Sequence, residues 1–188
     1  MKDIIQLIEV SSEDLPGIYC DLDQVLVNFM KGADEAVGGD FVTFDKETRW
    51  NAVNQTKGFW ANLDWLPNSK RLYQTISKYN PHILSAYTGR DPTSKNGKMK
   101  WLKKNTKFKR GNIHLVLRAQ KKDYAKTDDK PNVLIDDYKN LDLNTILKKS
   151  NIIILAINHK EYNKNIYKNS FLMSSILQIT LKLKKNPP

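Results

Sequence analysis

Short apolar runs that end in chemically useful residues constrain this chain more than any other feature. Residues 17–22 read Gly-Ile-Tyr-Cys-Asp-Leu, and residues 81–86 read Pro-His-Ile-Leu-Ser-Ala. Residues 112–117 read Asn-Ile-His-Leu-Val-Leu, and residues 132–135 read Asn-Val-Leu-Ile, directly before Asp136 and Asp137. Each run is too short for a helix and is apolar without alternation, which suits a strand covered on both faces in a parallel sheet. Residues 151–157 form a fifth run of this kind.

Helical patterns fall between and beyond these runs, at 25–37, 69–79, 95–104, 141–149 and 171–183; that at 95–104 is basic and amphipathic. Strands alternating with helices predict an α/β fold with a doubly wound, Rossmann-like parallel sheet. Residues 38–80 interrupt the pattern with scattered aromatics, Trp50, Phe59, Trp60 and Trp65, and are expected to form a small helical cap inserted after the first strand. Ile4, Ile5, Ile8 and Val10 fit either one helical turn or an edge strand.

At 188 residues the chain is expected to be a single domain over 1–188, large enough to bury a core. Its apolar runs are far too short to cross a bilayer, and its start lacks the apolar region of an export signal, so a soluble, cytoplasmic protein with no membrane partner is expected. Cys20 is the only cysteine, which excludes an intrachain disulfide, and its apolar neighbours make it a packed strand residue. A net charge of +11 favours phosphorylated or polyanionic partners, although much of the excess is lysine in solvated stretches such as Lys103-Lys104.

In doubly wound sheets ligands bind at the carboxyl ends of the strands, where strand order reverses. Asp21 and Asp23 end the first run, Ser85 ends the second, Arg118 and Lys121 follow the third, and Asp136 with Asp137 ends the fourth. These residue types suit phosphoryl transfer. A carboxylate can attack phosphorus, a second aspartate can shuttle the proton, clustered carboxylates can hold a hard cation, and a lysine and a hydroxyl can bind the remaining oxygens. A phosphorelay receiver domain uses a similar set, but its paired acids come at the first strand, whereas here the pair comes last.

At these positions the chain resembles the haloacid dehalogenase superfamily, whose first motif is an Asp-x-Asp after an apolar strand, here Asp21-Leu22-Asp23. Ser85-Ala86 resembles the second motif and Asp136-Asp137 the fourth. The resemblance implies Asp21 as nucleophile, Asp23 as acid and base, and Ser85 and Ala86 as phosphate-binding. It also implies Mg²⁺ as the cofactor, held by Asp21, Asp23 through its backbone carbonyl, Asp136 and Asp137. Residues 117–125 resemble the segment that supplies the third motif's lysine in the 5′(3′)-deoxyribonucleotidases, which makes Lys121 the first choice, with Lys122 and Lys98 as alternatives. Gln24 stands where the superfamily commonly has Gly.

Residues 57–67, with Phe59 and Trp60, resemble the Gly-Phe-aromatic, Leu-Pro segment of the same nucleotidases, and Phe29 matches an aromatic after their first motif. The resemblance implies that Phe29, Phe59, Trp60 and Arg118 contact the substrate. Aromatics in a small cap can equally be its core. His82 and His114 lie within strand runs and read as packed residues, while His159 has no assignable partner. The expected activity is Mg²⁺-dependent hydrolysis of a nucleoside monophosphate, more specifically a deoxynucleoside monophosphate, through an aspartyl phosphate. The alternatives are a phosphatase acting on terminal phosphates of nucleic acid and a nucleotide-binding module without turnover.

Overall fold

The computed structural model describes residues 17–125, 132–137 and 152–156. The five apolar runs form five parallel strands: β1 (Ile18–Cys20), β2 (His82–Ala86), β3 (Ile113–Val116), β4 (Asn132–Asp136) and β5 (Ile152–Ala156). They lie in the order β3-β2-β1-β4-β5, so β1 sits at the centre and strand order runs outward from it in both directions. Register aligns the ends that matter. Cys20 pairs with Ile83 on one side and Ile135 on the other, and the Asp21 amide extends the ladder by donating to the Ile135 carbonyl at 2.9 Å. Asp21 and Asp136 therefore leave adjacent strands at the same edge, with Ser85 beside them on β2.

The central strands owe their place to burial. Ile18, Cys20, Ile83, Val133 and Ile135 are all buried in one apolar cluster. Cys20 is thus a core residue as its neighbours suggested, and burial pushes its thiol pKa well up. His82 and His114, on adjacent strands, stack with rings 5.1 Å apart, Nδ1 of one lying 2.8 Å from Nε2 of the other.

Between β1 and β2 the chain forms α1 (Phe29–Val37), a 3₁₀ turn (Phe41–Thr43), α2 (Lys46–Gln55), α3 (Phe59–Asn62), and α4 (Ser69–Ile76), which continues as a 3₁₀ turn (Ser77–Tyr79). The first helix begins four residues later than the apolar pattern at 25–37 suggested, because residues 22–27 close a tight turn instead. The Leu26 and Val27 amides both donate to the Leu22 carbonyl at 2.9 Å. Gln24 adopts φ 54°, a left-handed conformation that costs a non-glycine residue roughly 1–2 kcal/mol. Its side chain helps to hold that turn, since Oε1 accepts from the Met30 amide at 3.1 Å. Asn28 then caps α1 by accepting from the Lys31 amide.

The crossover from β2 to β3 is α5 (Ser94–Asn105). Its inner face buries Ser94, Lys98, Trp101 and Leu102, while Lys95, Lys100, Lys103 and Lys104 are exposed. The helices expected at 141–149 and 171–183, the N-terminal apolar residues and His159 lie outside the described residues. Among the described residues no helix is long and apolar enough to cross a membrane.

α5 packs directly on α3. A Cβ placed on Gly97 would sit 2.5 Å from the Trp60 Cβ and 3.4 Å from its Cα, so neither helix can accommodate it without moving apart. Gly97→Ala would gain about 1 kcal/mol in helix propensity but is expected to lose about 1–3 kcal/mol to overpacking. Urea denaturation should therefore show net destabilisation; a stabilised variant would contradict this contact.

Candidate active site

Eight residues converge at the carboxyl edge of the sheet. Asp21 follows β1 and is 8% exposed; its Oδ1 accepts from the Leu22 amide at 2.7 Å, which fixes the carboxylate. Asp136 ends β4 and is 5% exposed. The Lys121 ammonium bridges them, 2.8 Å from Asp21 Oδ2 and 2.7 Å from Asp136 Oδ2. Lys121 rises from a 3₁₀ segment (Arg118–Ala125) whose start is pinned by reciprocal bonds between Leu117 and Gln120. Burial draws its pKa down, but the charges of Asp21 and Asp136 outweigh burial and raise it.

Asp21, Asp136 and Asp137 present carboxylate oxygens that all lie within 4.8 Å of one another. Hard oxygen donors at such separations fit the coordination shell of Mg²⁺, which draws on few protein carboxylates and completes its octahedron with water and substrate oxygens. Burial, followed by the negative charges of Asp21 and Asp136, pushes the Asp137 pKa up to about 6. A divalent cation would relieve that repulsion.

The other half of the site is gathered by Lys98. This side chain is 1% exposed and donates to Asp23 Oδ2 at 2.5 Å, Ser85 Oγ at 3.2 Å and the Ala86 carbonyl at 2.5 Å. Burial, with the adjacent Asp21 charge, raises the Asp23 pKa against the opposing pull of Lys98. Among the described residues, Asp23 Oδ1 is a buried acceptor with no partner. Its carboxyl thus combines an unsatisfied oxygen with a shifted affinity for protons, the properties of a group that exchanges a proton with a ligand.

The structure brings together Asp21, Asp23, Ser85, Ala86, Lys98, Lys121, Asp136 and Asp137. Two lysines, not one, lie at this edge: Lys121 among the carboxylates of β1 and β4, and Lys98 on the β2 side. The Lys122 side chain is outside the described residues. Arg118 is exposed at the start of its 3₁₀ segment.

The aromatics expected to contact substrate are engaged by protein. Phe59 is 6% and Trp60 3% exposed. Trp60 stacks on Phe29 at 5.6 Å and 23°, and Phe59 meets it edge-on at 5.1 Å. Trp60 reaches the site from behind, its ring 5.0 Å from the Lys98 ammonium. Its Nε1 donates to Asp91 Oδ2 at 2.5 Å. Asp91, 2% exposed, also accepts from the Thr93 amide and hydroxyl at 2.8 and 2.7 Å. Sequence reading missed Asp91; the available signal was an acid in the turn after β2, directly before Pro92 and the start of α5. A cleft of about 380 Å³ beside α1 and α3 is lined by Asn28, Lys31, Phe59 and Asp64 among others, and by none of the converging acids.

Compared with models of known families and with curated proteins, the chain matches none.

Because Trp60 is core on three sides, Trp60→Ala should cost about 3–5 kcal/mol in chemical denaturation. Trp60→Phe should cost less, since a ring remains over Lys98 and beside Phe29. A loss below about 1 kcal/mol for the alanine variant would instead identify an exposed platform free to stack on a ligand.

Proposed function

We propose that this protein is a Mg²⁺-dependent phosphomonoesterase that forms an aspartyl phosphate on Asp21, with nucleoside monophosphates as its substrate class. The observation that carries the reading is the convergence of Asp21, Asp23, Ser85, Lys121, Asp136 and Asp137 from separate segments onto one sheet edge. The β3-β2-β1-β4-β5 order supports a Rossmann-like, doubly wound fold, with residues 38–80 as its helical cap in a single domain over 1–188.

In the first half-reaction an Asp21 oxygen attacks phosphorus and the bond to the leaving oxygen breaks. Asp23, whose pKa burial shifts upward, gives a proton to that oxygen. In the second half-reaction Asp23 takes a proton from water, whose oxygen attacks phosphorus. The bond to Asp21 then breaks, releasing inorganic phosphate and restoring both carboxyl groups. Lys121 and Lys98, with the Ser85 hydroxyl, bind phosphoryl oxygens and compensate their charge. Asp21, Asp136 and Asp137, with the Asp23 backbone carbonyl, would hold Mg²⁺, which supplies further neutralisation of the transferring group.

The nucleotide assignment is supported by the resemblance of residues 57–67 and 117–125 to the deoxyribonucleotidases and by the +11 charge. The buried Phe59 and Trp60 support it only as part of the cap's framework, not as stacking surfaces.

Phosphate release from deoxynucleotides, ribonucleotides and a small aryl phosphate tests the reading. Asp21→Asn should reduce turnover on every active substrate by on the order of 10³-fold or more while leaving the fold intact, because the amide keeps the shape and loses the nucleophile. Chelation should stop phosphate release and Mg²⁺ should restore it. Full activity in excess chelator, or in the Asp21→Asn variant, would contradict the mechanism; nucleotide binding without release would make the chain a binding module.

A further inference from the structure

The charges of this chain are segregated. Between residues 65 and 122 there are fifteen Lys and Arg and a single acid, Asp91, whereas a uniform spread of the chain's 20 acids would place about six there. Biased composition alone explains abundant lysine but not the removal of acids from one stretch. The structure gathers much of this charge on the outer face of α5 and the loop after it, where Lys100, Lys103, Lys104, Lys107, Lys109 and Arg110 are all exposed. None of the six forms an ion pair among the described residues. Compensation of the helix dipole would account for Lys103 and Lys104 in the last turn, but not for the other four.

The ridge has a fixed backbone and a fixed origin. The Thr106 amide closes α5 on the Leu102 carbonyl at 2.9 Å, the Lys107 amide donates to the Tyr73 hydroxyl at 2.8 Å, and Phe108 packs on the Tyr73 ring at 5.5 Å. The loop is thereby tied to α4. At the other end, Lys98 on the same helix reaches Asp23 and Ser85. A row of cations therefore begins at Lys100, within one turn of Lys98 but on the outer face of α5, runs about 6 Å along the helix to Lys104 and continues through Lys107, Lys109 and Arg110 in the loop that follows.

We propose that this ridge binds the sugar-phosphate backbone of a single-stranded nucleic acid whose terminal phosphate enters the site at Asp21. This rests on the phosphatase chemistry proposed above and replaces the free nucleoside monophosphate with the terminal nucleotide of a strand as the substrate. An anionic membrane suits the ridge less well. Interfacial helices insert an apolar face, and here that face, with Trp101 and Leu102 each 1% exposed, is already buried. Among the described residues the exposed large apolar side chains, Val42, Phe44, Tyr79 and Leu117, lie on other segments.

The test compares the full chain with its Lys100→Gln/Lys103→Gln/Lys104→Gln variant, whose thermal unfolding must match the wild type. Anisotropy of a labelled 12-nucleotide DNA with a terminal phosphate is followed across salt concentrations, alongside phosphate release from that DNA, a mononucleotide and an aryl phosphate. The variant should bind the DNA at least tenfold more weakly at low salt, with a log–log salt slope smaller by about 2. It should lose at least tenfold in kcat/KM on the DNA and keep wild-type rates on the aryl phosphate. Equal DNA binding and equal salt slopes would overturn the ridge, as would tighter binding to phosphatidylserine vesicles than to the DNA. No phosphate release from any substrate, with ridge-dependent DNA binding intact, would overturn the phosphatase reading and leave the ridge standing.

Discussion

Four carboxyl groups, Asp21, Asp23, Asp136 and Asp137, meet at one edge of a buried sheet, where desolvation and mutual repulsion both work against ionisation. At an effective dielectric of about 20, two unit charges about 4 Å apart repel by about 4 kcal/mol, so such a cluster needs positive charge within it. Lys121 supplies it between Asp21 and Asp136, and Lys98 supplies it at Asp23. The rest of the site depends on these two ammonium groups. They hold the carboxylates in register, and they leave residual strain at Asp23 and Asp137, whose raised pKa values mark the places where a proton or a cation is still wanted.

Neither lysine positions itself. Lys121 depends on the pinned turn after β3, and Lys98 is fixed by α5, which lies against α3 with no room for a side chain at Gly97. The Trp60 ring backs Lys98 while its indole nitrogen is held by Asp91, and Asp91 in turn orders the turn that opens α5. A chain of contacts thus runs from the aromatic cluster of the segment between β1 and β2, through Trp60, to the amine that touches Ser85 and Asp23. In this arrangement the aromatics act on the site by supporting its cations.

The strands and the order of the site residues were legible in the sequence for one physical reason: strands covered on both faces are apolar without alternation, so the polar residues at their ends stand out. Asp21, Ser85, Asp136 and Asp137 were visible in this way. The start of α1 was not, because apolar periodicity continues through residues 25–27 while hydrogen bonds to the Leu22 carbonyl close a turn there. Lys98 ranked below Lys121 because a lysine inside a lysine-rich helix gives no sign that it alone faces inward. Asp91 and the burial of Trp60 define each other across thirty-one positions, a pairing that no local pattern encodes.

The central claim is that phosphorus becomes bonded to Asp21 during turnover. Rapid acid quenching of the enzyme during hydrolysis of its best substrate, followed by peptide mass spectrometry, tests this without reference to rates. The account predicts one added phosphoryl group on the peptide containing Asp21, located at that residue on fragmentation and missing in Asp21→Asn. Phosphate release with no phosphorylated peptide at any quench time, or with the phosphoryl group on another residue, would contradict it.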